Sequence, residues 1–238
     1  MTARTPLIAG NWKMNGTVES SQQLISALCS GVAIDSDPIM LICPPFPYLH
    51  TAAAALKDEA VVLGAQNIAM EPGTGAFTGE VSGLMLKNCG CEYVIVGHSE
   101  RRALFGETDA MVSNKFIIAQ TQGLKPILCI GETLEERETG QTQAVIQRQI
   151  HKVIDYAGPA AFGSAVVAYE PVWAIGTGLT ATPDQAQEAH SFIRSLISEQ
   201  DATIASLMQI IYGGSMKSEN AKELLSMEDV DGGLVGGA

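Results

Sequence analysis

At 238 residues the chain has room for one large domain or two small ones, and 46% hydrophobic content is ample for a sizeable core. Aromatic residues make up only 5%, so aliphatic side chains must dominate that core. Fourteen Lys plus Arg against 26 Asp plus Glu leave a net charge of −12, which argues against a nucleic-acid or anionic-membrane surface.

Short apolar runs recur along the chain, each bounded by Gly, Pro or polar residues. They are LIAGN (7–11), IMLIC (39–43), VVLGA (61–65), YVIVGH (93–98), PILCI (126–130), AVVAYE (165–170), LMQIIYGG (207–214) and GLVGG (233–237). None alternates cleanly, which predicts strands buried on both faces, as in a parallel sheet. Helical patterns lie between them. SSQQLISALCS (20–30) sets Leu24, Ile25 and Leu28 on one stripe. Residues 110–123 carry Met111, Phe116 and Ile118 and stop at Gly123. Residues 133–158 read as one long helix, charged first and apolar at Val145, Ile146, Ile150, Val153 and Ile154. Residues 182–200 open on Thr182, Pro183 and Asp184, a cap with proline at the first helical position, and 218–226 form a further short helix.

This alternation fits a doubly wound open sheet or a closed (β/α)8 barrel, and about eight strands in one domain spanning 1–238 favour the barrel. Polar residues gather at or just past the strand ends: Asn11 with Lys13, Gln66 with Asn67, His98, Glu170 and Ser215. They come from many strands, as the catalytic face of a barrel requires. GNWKMNG after the first strand is not the glycine fingerprint of a dinucleotide fold. The five cysteines, Cys29, Cys43, Cys89, Cys91 and Cys129, are odd in number and lack a framework spacing, which suits reduced thiols in a cytoplasmic protein. No signal peptide is read at the start, and no window approaches the roughly 18 apolar residues of a membrane helix.

Glu170 closes a buried strand and opens a loop built as a lid. Pro171 fixes a hinge, Val172 and Trp173 can pack on the rim, and residues 174–178 are small, with the Gly176 amide at the tip. A carboxylate sheltered from water under such a lid suits a general base. His98 stands at a strand end where a short helix begins, and a helix N-terminus favours the neutral imidazole as a donor. No second histidine stands at metal-ligand spacing, so no metal site is read. Lys13 is one of few cations at this face of an acidic protein and can neutralise an anionic substrate. YGGSM (212–216) and GLVGGA (233–238) follow the last two strands and offer unobstructed amides for a phosphate.

Taken together, GNWKMNG, GAFTGE (75–80), YVIVGHSERR (93–102), PILCIGE (126–132), AYEPVWAIGTG (168–178), IIYGGSM (210–216) and DGGLVGGA (231–238) resemble the triosephosphate isomerase family. The resemblance implies interconversion of dihydroxyacetone phosphate and glyceraldehyde 3-phosphate without a cofactor. Glu170 would be the base, neutral His98 the proton shuttle at the substrate oxygens, and Lys13, beside Asn11, the balancing charge. Amides of Gly176, Ser215, Gly236 and Gly237 would hold the phosphate, and Glu100, in SERR, would support the site without touching substrate. It also implies a homodimer in which the loop around Gly75–Glu80 brings Thr78 to the partner's Lys13. Two departures stand out. Leu179 occupies a lid hinge where the family has lysine. The sequence stops at Ala238 where the family continues into a final helix, which leaves a weakened phosphate-binding barrel as the alternative reading. Another phosphosugar barrel enzyme would share the glycine turns but would not need Glu170 under this lid.

Overall fold

Eight parallel strands close on themselves: β1 (Leu7–Asn11), β2 (Ile39–Cys43), β3 (Val62–Ala65), β4 (Tyr93–Val96), β5 (Lys125–Ile130), β6 (Val166–Tyr169), β7 (Gln209–Tyr212) and β8 (Gly232–Gly236). Each pairs with the next, and β8 returns to β1 in register from Leu7↔Gly232 to Asn11↔Gly236. This is the (β/α)8 barrel. The computed structural model describes residues 4–32, 38–175 and 180–236.

Barrel closure explains the unbroken apolar runs. Successive side chains still point to opposite faces, but both faces are covered. One set, including Leu7, Ala9, Leu41, Ile95, Ile127, Ala168 and Leu234, fills the barrel interior. The alternate set, including Val94, Val96, Leu128, Ile130, Val167 and Ile210, packs against the helical layer.

That layer comprises α1 (Val18–Gly31), α2 (Leu49–Ala55), α3 (Gly83–Asn88), α4 (Ser99–Phe105), α5 (Asp109–Thr121), α6 (Leu134–Glu138), α7 (Thr142–Ala157), α8 (Pro183–Ser198), α9 (Ala202–Leu207) and α10 (Ser218–Leu224). The long helix expected over 133–158 is two helices. Thr133 and Glu136 form a reciprocal capping box that starts α6, and Gly140, at φ 72°, breaks the chain before α7. The run read as a strand from Leu207 begins at Gln209, because Leu207 ends α9. Helices α2, α3 and α9 carry six or seven residues each and show too little periodicity to be read without their packing partners.

Two glycines set the upper rim. Gly97 adopts φ 71° between β4 and His98. At Gly131 a Cβ would fall 1.8 Å from the Glu170 carbonyl oxygen, so only glycine lets the end of β5 pass the end of β6. The Gln149 side chain of α7 pins that turn by accepting from the Gly131 N–H at 2.8 Å and donating to its carbonyl at 3.2 Å.

The outer core also holds an unusual buried polar group. His190 of α8 is fully buried, with Nδ1 3.1 Å from the Asp229 carbonyl and the Tyr169 ring edge-on at 5.8 Å. Burial pushes its pKa down to about 4. The unfolded chain therefore takes up the proton first as pH falls, and the stability from neutral His190 is present above pH 6.5 and is lost as the pH drops toward 4. Urea unfolding should show His190 contributing a loss of about 2 kcal/mol between pH 7.5 and pH 5. His190→Asn should flatten that part of the slope, and an unchanged slope in the variant would rule His190 out as its source.

Candidate active site

All strands run one way, so their carboxyl ends emerge on one face and carry the site residues with them. β1 ends on Asn11, which is buried, and two residues on Lys13 takes φ 54°, a left-handed conformation that is uncommon for a residue with a side chain. The Lys13 N–H donates to Asn11 Oδ1 at 3.1 Å, and its ammonium donates to Glu100 Oε1 at 2.5 Å. After β4 and Gly97, His98 caps α4. Its Nδ1 accepts from the Glu100 N–H at 3.2 Å, so that nitrogen keeps its lone pair and the proton sits on Nε2.

Glu170 follows β6 directly and is 2% exposed. Its backbone N–H donates to the Ile130 carbonyl at 2.7 Å, and Oε2 accepts from the Ser99 N–H at 2.8 Å. Oε1 lies 3.0 Å from His98 Nε2, close but out of line. Among the described residues no donor is aligned on Oε1. The carboxylate is therefore anchored by one oxygen and has the other available as a proton acceptor. Burial disfavours a charged His98, yet the facing Glu170 carboxylate and then Glu100 outweigh it, and the His98 pKa lies above its ordinary value. The Glu100 N–H opposes that pull, because a proton on Nδ1 would face another donor.

A cavity of about 450 Å³ opens beside these groups, lined by Asn11, Lys13, His98, Ile175, Gly213, Gly214, Ser215, Lys217 and Gly236 among others. Glu170 stands just behind the lining, where a Cβ on Gly213 would meet its Cγ at 2.9 Å. The end of β8 closes in from the other side, since a Cβ on Gly236 would approach Lys13 Cε at 3.0 Å. Asn11, Lys13, His98, Glu170, Ser215 and Gly236 are thus brought to one cavity from five strands. Two lysines at its wall, Lys13 and Lys217, supply local positive charge in a protein of net charge −12. Gly176, Leu179 and Gly237 lie outside the described residues.

The sequence reading missed the group that anchors the segment on either side of Glu170. Glu132, fully buried after β5, accepts from the Trp173 indole N–H at 3.0 Å, from the Tyr169 hydroxyl at 3.1 Å and from Arg137 at 3.2 Å. Its carbonyl accepts from the Val172 N–H at 3.1 Å, and the Arg137 guanidinium lies 4.6 Å over the Trp173 ring. Burial, with Glu132 beside it, pushes the Tyr169 phenol pKa up, so Tyr169 stays a donor. The one available sign was position, a carboxylate two residues past a buried strand in PILCIGE.

Comparison with known proteins agrees with this geometry. The family model described as triosephosphate isomerase matches residues 6–238. The triosephosphate isomerase of Alcanivorax borkumensis is 54% identical over 235 residues, covering 99% of this chain and 93% of that protein. Those of Dechloromonas aromatica and Thiobacillus denitrificans are each 52% identical over 236 residues, covering 99% of this chain and 94% and 93% of theirs. With a buried carboxylate, a capped imidazole and a lysine around one barrel-end cavity, and with matches of this extent, the chain belongs to the triosephosphate isomerase family.

Proposed function

We propose that this enzyme interconverts dihydroxyacetone phosphate and D-glyceraldehyde 3-phosphate by proton transfer through an enediolate, with Lys13, His98 and Glu170 as its catalytic side chains. The observation that carries the reading is the pairing of a buried carboxylate with an Nε2–H imidazole, 3.0 Å apart, at the cavity that Lys13 enters.

Glu170 Oε1 takes the proton from the carbon next to the substrate carbonyl; in the free site the Ser99 N–H holds Oε2 at 2.8 Å. His98 donates its Nε2 proton to the carbonyl oxygen as negative charge develops there, and recovers a proton from the neighbouring hydroxyl. Glu170 returns its proton to the adjacent carbon, and the carbonyl has moved one position. No cofactor enters this cycle, because the proton removed is the proton returned. Lys13 balances the charge of enediolate and phosphate, with Asn11 fixing its backbone. The amides of Ser215 and Gly236, just past β7 and at the end of β8, bind the phosphate. Once the substrate draws Glu170 away from Nε2, the field of α4 and the Glu100 N–H keep His98 neutral.

The partner is a second copy of this chain. Phe77, in the loop around Gly75–Glu80, is 44% exposed, and Met14, Leu104 and Phe105 also stand out from the surface. A second cavity of about 310 Å³ adjoins Lys13 and is lined in part by Met14, Phe46, Gln66 and Phe105. Thr78 of the partner would stand there, beside Lys13. The enzyme works in the cytoplasm, in keeping with reduced thiols and with the finding that no helix among the described residues is long and apolar enough to cross a membrane.

A coupled assay for triose-phosphate isomerisation tests the activity directly. Glu170→Asp, which withdraws the carboxylate by about 1 Å, should lower kcat on the order of 100-fold and leave binding of 2-phosphoglycolate nearly intact. An unaffected kcat would take Glu170 out of the base role. Sedimentation should show a dimer that Phe77→Glu converts to monomer with much reduced turnover. A monomeric wild type at assay concentration, still fully active, would remove the partner from the site.

A further inference from the structure

We propose that Gln66 is the positioning residue for Lys13, a double hydrogen-bond clamp that holds the turn after β1 in its strained conformation and so aims the ammonium into the substrate cavity. Gln66 follows β3 and is set by the barrel beside the ends of β1 and β2. Its Nε2 donates to the Lys13 carbonyl at 2.9 Å and to the Cys43 carbonyl at 2.8 Å. The Cys43 carbonyl also accepts the Trp12 N–H at 3.2 Å, so the same β2 oxygen ties down the residue before Lys13.

Lys13 at φ 54° relaxes to negative φ unless its surroundings prevent it. The two peptide groups that flank its Cα are both held, the N–H by Asn11 Oδ1 and the carbonyl by Gln66. Rotation out of the left-handed region would break both bonds and swing the Cα–Cβ direction away from His98. Side-chain chemistry explains the residue type. Two carbonyl oxygens need two donors from one neutral group, which an amide nitrogen supplies and a carboxylate does not. Gln66 acts through Lys13 rather than on the substrate, because it lines the neighbouring cavity and is not part of the wall formed by Ser215 and Gly236.

The clamp rests on the role proposed above for Lys13, but its test has an arm that does not. Thermal melts and steady-state kinetics on the full chain would compare wild type, Gln66→Leu, Lys13→Gly and the double variant. Glycine takes φ 54° without strain, so it does not need the clamp. Gln66→Leu should lower the Tm of the wild type by about 5 °C, and that of Lys13→Gly by less than half as much. On the wild-type background it should reduce kcat/KM for triose phosphate on the order of 10- to 100-fold, with weaker 2-phosphoglycolate binding. If Gln66→Leu does not fold, Gln66→Asn, whose amide is one methylene too short for both carbonyls, carries the same cycle. Melting losses that simply add, or a folded variant with wild-type kcat/KM, overturn the proposal. A protein without isomerase activity would leave the melting cycle readable and would sink the functional reading alone.

Discussion

A carboxylate out of contact with water is costly unless donors replace its solvation, and the upper rim of this barrel is organised around that constraint. Glu170 meets it with one backbone N–H from the first turn of α4 and one imidazole lying out of line. The requirement fixes where β4 and β6 must end relative to each other. It also makes Gly131 necessary, because β5 runs between them and has no room for a side chain against the Glu170 carbonyl.

Glu132, on the neighbouring strand end, solves the same problem the opposite way. It is saturated with donors from Tyr169, Trp173 and Arg137. A saturated carboxylate is a structural anchor, and an under-saturated one a reactive base. Glu132 grips Tyr169 and Trp173, which flank Glu170 in the chain, so the anchored stretch and the reactive group share one backbone segment. Packing and chemistry are coupled there by a few covalent bonds.

Charge follows the same local logic. The protein carries a net charge of −12, yet the cavity wall carries Lys13 and Lys217, and strand ends rich in glycine bring main-chain donors close. Lys13 is held in place by partners from three elements: Asn11 from β1, Gln66 after β3 and Glu100 from α4. A long, flexible side chain becomes a fixed charge only through such cross-strand contacts.

Much of this was legible in the residues. Continuous apolar runs spaced by helical patterns mark a parallel sheet covered on both faces, and the Glu170, His98 and Lys13 motifs stand at strand ends, because short-range patterning dictates where strands stop. The single helix read over 133–158 was wrong, since a glycine break of three residues does not disturb periodicity enough to be seen. Short helices α2, α3 and α9 were invisible because they are stabilised by the sheet beneath them and not by their own sequence. What the sequence determined by itself was the alternation of elements and the identity of the groups at their ends. Only the tertiary structure decided which of those groups meet: that Ser99 anchors Glu170, that Glu132 holds Trp173, and that Gln66 reaches Lys13 across 53 positions of chain. Barrel closure sets those distances, and no local pattern records them.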